Sequence, residues 1–259
     1  MTKVALLQVS TDDNESVSDR ITRVTNLTNE WANKVEFVVL PELWQVGAFR
    51  PDLFEEHALP TENELVKSFC KIAKDNNCWI HLGSYIERHD KGISNTALTI
   101  NNLGEIVSQY RKIHLFGFDQ GEAIMLSRGD KPEVISNTPV GITGVSTCYD
   151  LRFPELFRAQ VDQGAQTLLL SSGWPTPRIE HWRVLNTARA IENQAWVIAC
   201  NQVGNNGDYV LGGHSMVINP KGEIVGELGT DEDVLIAEID LNLVNDWRDT
   251  FPVLKDRVL

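Results

Sequence analysis

The chain has 259 residues, of which 42% are hydrophobic, so it is long enough to bury one large core. Its formal net charge of −13 argues against nucleic acid or an anionic membrane as the main partner, because both require a basic surface. There is no apolar run long enough to span a bilayer, and the apolar part of the N-terminus is too short for a signal peptide. A cytoplasmic location is therefore expected.

The cysteines do not form a recognisable metal-binding or redox pattern. Four cysteines lie far apart in the sequence, without a C-x-x-C pair: Cys70, Cys78, Cys148 and Cys200. In a reducing compartment, separated cysteines are expected to stay free thiols. Because neither a zinc spacing nor an H-E-x-x-H motif occurs, no catalytic metal is expected.

The first half of the chain alternates short apolar runs with amphipathic segments. Residues 16–33 carry apolar side chains three and four positions apart, which predicts a helix. Residues 61–64 match a capping box and predict the start of a second helix. Strands are predicted at VALLQV, FVVLPE and CWIHLGSYIE, and TALTINNLGEIVSQY predicts a hairpin with its turn at 101–104.

The second half continues the same alternation. Strands are predicted at GITGVST, TLLLSS, AWVIACN and VLIAEID, and a hairpin at MVINPKGEIVGEL. Helices are predicted after Phe153-Pro154 and at about 180–193, and the C-terminal tail predicts a short helix with an arm from about 241. Strands alternating with amphipathic helices indicate α/β layers, and no linker divides the chain, so residues 1–259 are expected to form one domain.

Two segments of the chain are similar to each other. INNLGEIV, from Ile100, and INPKGEIV, from Ile218, share six of eight residues, and each places a turn between two predicted strands. Two interpretations stay open at this point. Both segments are examples of a common hairpin turn, or each half of the chain ends in an equivalent hairpin of a two-sheet sandwich with pseudo-twofold symmetry.

Four reactive side chains follow predicted strands or lie in a nearby loop. Glu42 follows FVVLP, Lys112 follows the first hairpin, Cys148 follows GVST, and Glu122 lies in the loop GFDQGEAIMLSRGD. Since reactive groups in α/β folds gather at the carboxyl ends of strands, these residues are candidates for one site. A carboxylate held out of water after an apolar run is suited to act as a base. Taken singly, each also has an ordinary structural interpretation: a strand-end acid, an exposed lysine or a buried thiol.

Cys148 stands at a sharp exit from its strand, just before a predicted helix. The backbone N–H of Tyr149 and the positive charge of Lys112 are expected to lower the pKa of the thiol and to bind an oxyanion. A Cys–His pair is the alternative, but no local sequence marks a histidine as the partner. Asp150 and Arg152 are expected to brace the turn rather than to contact a substrate.

The order of the motifs resembles that of a known family. FVVLPELW, YRKIHLF and STCYDLRFPEL resemble the three motifs of the nitrilase superfamily, the carbon–nitrogen hydrolases. The resemblance extends to HWRVLNTARAIENQAWVIACNQVG and GHSMVINPKGEIV and so covers essentially the whole chain. It implies an α/β fold that is a four-layer αββα sandwich with two central mixed β-sheets. It also implies a homodimer, with the C-terminal arm reaching the partner subunit.

The resemblance also assigns roles to the four reactive residues. It implies that Cys148 is the nucleophile, that Glu42 is the general base and later the proton donor, and that Lys112 stabilises the tetrahedral intermediate. It implies that Glu122 helps to position the substrate, and the N–H of Tyr149 is expected to help bind the oxyanion. The implied chemistry is acyl transfer through a thioester, which requires no metal or organic cofactor.

The flanking segments indicate a branch of the superfamily. CYDLRFPEL, ARAIENQ and SSGWPTPRIEHW are most similar to the ω-amidases, which cleave small terminal amides such as 2-oxoglutaramate. Amidases of deaminated glutathione, N-carbamoyl hydrolases and nitrilases share the same reactive residues and stay open, as does an inactive binding homologue. Trp174 and Phe116 are expected to form pocket walls. Arg178 is a candidate for binding a substrate carboxylate.

Overall fold

The computed structural model describes residues 1–258 of the chain. Two six-stranded β-sheets pack face to face, and helices cover the outer face of each sheet, so the fold is a four-layer αββα sandwich. The strands are β1 Thr2–Gln8, β2 Phe37–Val39, β3 Trp79–His89, β4 Gly92–Ile100, β5 Ile106–Arg111, β6 Glu133–Thr138, β7 Gly141–Thr147, β8 Thr167–Ser171, β9 Trp196–Cys200, β10 Val203–Asn206, β11 Tyr209–Gly212, β12 Met216–Ile218, β13 Ile224–Glu227 and β14 Asp233–Ile239.

The helices connect the strands and pack on the outside of the sandwich. The α-helices are α1 Val17–Ala32, α2 Phe54–His57, α3 Glu64–Asn76, α4 Glu122–Met125, α5 Pro154–Asp162, α6 Ile179–Asn193 and α7 Asn242–Thr250. The 3₁₀ helices are Pro51–Leu53, Cys148–Arg152, Thr176–Arg178 and Val253–Asp256. Helices α1 and α3 cover the first sheet, and α5 and α6 cover the second.

The two sheets have the same topology. The strand order is β14-β1-β2-β3-β4-β5 in the first sheet and β13-β12-β9-β8-β7-β6 in the second. In the first sheet β1, β2 and β3 run parallel, and all other neighbouring strands pair antiparallel. The second sheet repeats this pattern, with β7, β8 and β9 as its parallel strands. The predicted mixed sheets are therefore confirmed. The strands β10 and β11 form a separate small hairpin.

The similar segments occupy equivalent turns in the two sheets. The first joins β4 to β5, and the second joins β12 to β13. In each turn an asparagine side chain accepts two backbone N–H bonds and donates to a glutamate four residues later: Asn101 to Glu105 and Asn219 to Glu223. The matching turns and strand orders support the pseudo-twofold interpretation.

Strand β1 shows how the sequence builds three apolar layers. Val4 and Leu6 point into the layer between the two sheets, whereas Ala5 and Leu7 point toward helices α1 and α3. Successive side chains of a strand point to opposite faces, so a strand covered on both faces is a continuous apolar run. VALLQV satisfies that requirement, which explains why it was recognisable as a strand.

The N-cap of helix α3 lies two residues later than predicted. Asn63, not Thr61, is the N-cap, because its Oδ1 accepts a hydrogen bond of 3.0 Å from the backbone N–H of Val66. The Thr61 hydroxyl instead donates to Glu87 at 2.8 Å. The predicted capping box is therefore wrong, because a long-range carboxylate competes for the threonine.

The loop after β2 is held against β3 by close backbone contact. Gly83 has a φ of +68°, and a Cβ added there would lie 1.9 Å from the carbonyl oxygen of Pro41. The backbone N–H of Leu43 donates to Ser84 Oγ at 3.1 Å, and Trp44 Nε1 donates to the Leu82 carbonyl at 2.9 Å. Because only glycine fits at residue 83, this contact fixes the position of Glu42, which lies between Pro41 and Leu43.

Candidate active site

The structure brings the eight site residues predicted from the sequence into one pocket. Its empty volume is about 370 Å³, and it opens beside the carboxyl ends of the parallel strands. The predicted residues that line it are Glu42, Lys112, Phe116, Glu122, Cys148, Tyr149, Trp174 and Arg178. Ala48, Phe49, Arg152, Gly173 and Pro175 also line the pocket and were not predicted as site residues.

Lys112 lies between two glutamates at the base of the pocket. Its Nζ donates to Glu42 Oε1 and to Glu122 Oε2, each at 2.7 Å. The side-chain amide of Asn95 donates to the same two carboxylates, at 2.8 Å to Glu42 and 2.7 Å to Glu122. Lys112 and Glu42 are each 1% exposed. An ammonium has three N–H donors, so one of those on Lys112 is available to a further acceptor.

The electrostatics of this group keep Lys112 protonated. Burial by itself lowers the pKa of Lys112, but the neighbouring charges of Glu122 and Glu42 outweigh it and raise the pKa well above its ordinary value. Burial raises the pKa of Glu122, and the charge of Lys112 opposes that rise. One ammonium thus lies between two carboxyl groups.

Glu42 is oriented by contacts from distant parts of the chain. Its Oε2 accepts a hydrogen bond of 2.9 Å from the backbone N–H of Gly173, at the exit of β8. Its backbone carbonyl accepts a hydrogen bond from Gln202 Nε2. With Lys112 and Asn95 on the other oxygen, both carboxylate oxygens have partners. The carboxylate is therefore fixed in position before any ligand binds.

Cys148 sits on a strained turn that Asp150 holds in place. Cys148 has a φ of +45°, in the left-handed region that non-glycine residues seldom occupy. The carboxylate of Asp150 accepts hydrogen bonds from the backbone N–H of Thr147 at 2.9 Å, from Tyr110 Oη at 2.6 Å and from the backbone N–H of His114 at 3.1 Å. The prediction that Asp150 braces the turn is confirmed.

The thiol is not pre-ionised, contrary to the expectation from the sequence. Burial raises the pKa of Cys148, and the negative charge of Glu42 raises it further. The charge of Lys112 lowers the pKa, but Lys112 is already paired with two carboxylates. The predicted lowering is therefore wrong, because the sequence shows the lysine without showing what neutralises it.

Aromatic rings form the walls of the pocket. Phe116 packs edge-on against Phe49, with ring centroids 6.1 Å apart, and against Tyr149 at 5.4 Å. Trp174 is 2% exposed, and its Nε1 donates to the Arg178 carbonyl at 2.7 Å. The two walls expected from the sequence are thus joined by a third ring, Phe49, which lies in a segment without any motif.

Two arginines flank these rings. The Arg178 guanidinium lies 5.5 Å from the Phe116 ring centroid, and that of Arg152 lies 4.8 Å from the Trp174 centroid. Neither side chain forms an ion pair with a carboxylate among residues 1–258. Burial lowers the pKa of Arg152, and the nearby charge of Arg178 lowers it further. Arg152, predicted to brace the turn, therefore lies at the pocket, and the two cations share one region.

Asn95, which contacts both glutamates at the base of the site, was not predicted from the sequence. It lies in β4, in the segment GISNTALTI, where all residues from Ile93 to Ile100 are buried. A polar residue inside a fully buried strand needs partners, so its position was a usable signal. Gly173 and Gln202 gave no such signal, because their contacts with Glu42 join segments about 130 and 160 residues apart.

The residues that the structure describes contain neither a metal-binding group nor a membrane-spanning helix. Within residues 1–258, no three side chains of His, Cys, Asp or Glu are grouped so that they could hold a metal ion. No helix in the same part of the chain has the length and apolar character needed to cross a membrane.

The fold and the site together define a hydrolase that acts on carbon–nitrogen bonds in amides. Residues 3–249 match the family model described as carbon–nitrogen hydrolase, and the chain belongs to that family. A 2-oxoglutaramate amidase of Paenarthrobacter nicotinovorans is 38% identical over 98% of this chain and 88% of its own length. One of Bacillus subtilis (strain 168) is 36% identical over 92% of this chain and 91% of its own.

A solved structure agrees with the fold along the whole chain. Nit3 of Saccharomyces cerevisiae, described as a member of branch 10 of the nitrilase superfamily, superimposes with a TM-score of 0.90. The match covers 100% of this chain and 97% of that one, at 30% sequence identity. The predicted superfamily and sandwich fold are confirmed.

Proposed function

We propose that this protein is an ω-amidase that hydrolyses the terminal amide of a small carboxylate, with 2-oxoglutaramate as the expected substrate. The observation that carries the proposal is the pocket itself. A buried Glu42–Lys112–Glu122 group and Cys148 lie at its base, and two arginines without carboxylate partners among residues 1–258 lie at its aromatic walls. The base suits acyl transfer, and the walls suit an anionic substrate.

The first step is activation of the nucleophile. Because the pKa of Cys148 is raised by burial and by Glu42, the resting thiol is protonated. Glu42 takes the proton as the sulfur attacks the amide carbonyl, and a carbon–sulfur bond forms while the carbonyl oxygen becomes an oxyanion. This proton transfer removes the negative charge of Glu42 that opposes thiolate formation. The transfer of the proton to Glu42 and the build-up of negative charge on the carbonyl oxygen therefore occur in the same step.

The oxyanion needs donors that are already in position. The N–H of Lys112 that is not bound to a glutamate supplies one, together with a full positive charge. The backbone N–H of Tyr149, at the start of the turn after Cys148, supplies the second. Glu122 holds Lys112 from the other side, so its role in positioning the substrate acts partly through the lysine.

The intermediate then collapses and the thioester is hydrolysed. Protonated Glu42 gives its proton to the leaving nitrogen, the carbon–nitrogen bond breaks and ammonia departs. Glu42 is then a carboxylate again and takes a proton from the attacking water, which releases the acid product and the Cys148 thiol. Every proton taken up is returned, so the reaction requires no metal or organic cofactor.

The charges that line the pocket favour a small ω-amide. Arg152 and Arg178 line the same pocket as Cys148, so they can meet a carboxylate that lies close to the amide, as it does in a small dicarboxylate monoamide. N-carbamoyl compounds and nitriles fit the same reactive residues. An inactive binding homologue does not account for Glu42, Lys112 and Cys148 all being present and in position.

The chain is further proposed to work in the cytoplasm as a homodimer of single-domain subunits, 1–259, with the arm from about 241 reaching the partner. Val184 and Ile191, seven residues apart on α6, are 64% and 52% exposed. Phe251 is 53% exposed, and its carbonyl accepts a hydrogen bond from Gln194 at the end of that helix. Such an apolar surface indicates a protein interface.

Light scattering coupled to size-exclusion chromatography tests the dimer. The expected mass is twice that of one chain, and Val184→Glu should shift it toward one chain, because a charge would be buried in the interface. Glu64→Ala is the control, because Glu64 is an exposed residue on α3, which covers the other sheet. A wild-type mass of one chain at micromolar concentration contradicts the dimer.

Cys148→Ala tests the nucleophile. Ammonia release from 2-oxoglutaramate and succinamate should fall by on the order of 10³-fold or more, because no other thiol reaches the pocket in residues 1–258. Cys70→Ala is the matched control and should keep the wild-type rate. Unfolding midpoints in urea show whether both variants are folded. Retention of the wild-type rate by folded Cys148→Ala would refute the assignment.

Arg178→Gln and Arg152→Gln test recognition of the carboxylate. Each should raise KM for 2-oxoglutaramate about tenfold or more, because a charge-assisted hydrogen bond is lost. Butanamide, which is uncharged, is the control substrate and should be cleaved as well by the variants as by the wild type. An equal loss on both substrates would show that the arginines shape the pocket and do not bind the carboxylate.

A further inference from the structure

Three consecutive residues follow β8 at the candidate active site, and two of them have clear roles there. Gly173 donates its backbone N–H to Glu42, and Trp174 forms a wall of the pocket. The residue before them, Ser172, is fully buried, yet its hydroxyl has no hydrogen-bond partner within residues 1–258. A buried hydroxyl without a partner costs free energy, so it calls for an explanation.

The sheet register places Ser172 beside Cys148. Strands β7 and β8 are parallel neighbours, and Thr147 at the end of β7 pairs with Ser171 at the end of β8. Cys148 and Ser172 are the residues that directly follow these two strands, and the Ser172 hydroxyl lies near the Cys148 thiol. Ser172 is held there by its backbone N–H, which donates to the Cys200 carbonyl at 2.8 Å.

The preceding serine shows what a structural hydroxyl does at this strand end. Ser171 Oγ donates to the Leu40 carbonyl at 2.6 Å and so ties β8 to the first sheet. Ser172 makes no such contact, and the polar group next to it is the thiol. The charged groups that act on that thiol are Glu42, Lys112 and Glu122.

We propose that Ser172 is a positioning residue, whose hydroxyl donates a hydrogen bond to the Cys148 sulfur as the thiolate forms. This role rests on the proposed function, in which Cys148 is the nucleophile. The hydroxyl has no competing acceptor among the described residues, so it is available when the negative charge develops. A donor on the strand side of the sulfur also fixes the direction in which the sulfur attacks.

The electrostatics of the site agree with this role. Burial and Glu42 raise the pKa of the Cys148 thiol, whereas the charge of Lys112 and the nearby Ser172 hydroxyl act in the opposite direction. The three N–H donors of Lys112 serve the two glutamates and the oxyanion, which leaves the Ser172 hydroxyl as the donor to the sulfur. Gly173 holds the base and Ser172 the nucleophile, which means that one strand end sets their relative position.

The test compares Ser172→Ala with Ser108→Ala. Ser108 is a matched control, because its hydroxyl is also buried and without a partner in residues 1–258, but it lies on β5 outside the pocket. Alkylation of Cys148 by iodoacetamide, followed by peptide mass spectrometry from pH 6.5 to 10, reports the thiolate without any amide substrate. In Ser172→Ala the rate at pH 8 should fall about tenfold, and its pH profile should move to higher pH.

Steady-state kinetics and a conservative variant complete the test. In Ser172→Ala, kcat for 2-oxoglutaramate should fall about tenfold with KM unchanged, because the sulfur and not the substrate loses a contact. Ser172→Thr keeps a hydroxyl and should restore the alkylation profile toward that of the wild type. The proposal is overturned if Ser172→Ala behaves like Ser108→Ala, or if Thr and Ala give the same profile. Because alkylation does not involve the amide, this outcome is separate from a failure of the proposed function.

Discussion

The rest of the site depends on Lys112, a buried ammonium held between two buried carboxylates. Removing such charges from water is costly, and the arrangement is stable only when the remaining donors and acceptors are satisfied. Asn95, the backbone N–H of Gly173 and that of Phe116 satisfy the glutamate oxygens. The contacts come from β4, from the exit of β8 and from the loop after Lys112. Both sheets must therefore be folded and packed before the charges can be accommodated.

This constraint explains how one positive charge serves two purposes. Lys112 compensates the two glutamates in the resting protein, so it does little to ionise the neighbouring thiol. In the proposed mechanism, one of the two negative charges disappears when Glu42 accepts the thiol proton, and the field of Lys112 becomes available to the oxyanion. On this proposal Cys148 stays a thiol until the moment of attack. The positive φ of Cys148, held by Asp150, adds a fixed direction of approach.

Most of the fold followed from the sequence because buried strands have a local signature. β1, β8 and β9 contain continuous apolar runs, which a strand covered on both faces requires. β6 and the β10–β11 hairpin were missed, since EVISNT and VGNN are polar and are half-exposed at an edge. The capping box failed for a similar reason, because Thr61 finds its partner in a distant strand.

The site could be predicted where a residue type alone indicates its chemistry. A glutamate, a lysine and a cysteine at three strand ends were recognisable together with their motifs. Their charge balance was not, because the neutralisation of Lys112 depends on distances between segments that are 70 and 10 residues apart. The positions of Arg152 at the pocket and of Ser172 beside Cys148 were not predicted either, because they depend on which distant segments are neighbours in the fold.

The most direct test of this account is the pH titration of the Cys148 thiolate by its ultraviolet absorbance, with Cys148→Ala as the blank. The account predicts that the wild-type thiol ionises above its ordinary value of 9.0, since burial and Glu42 raise its pKa. Glu42→Gln should move the titration to lower pH, and Lys112→Met should move it to higher pH. A wild-type thiolate already formed at pH 7, or shifts in the same direction for both variants, would contradict it.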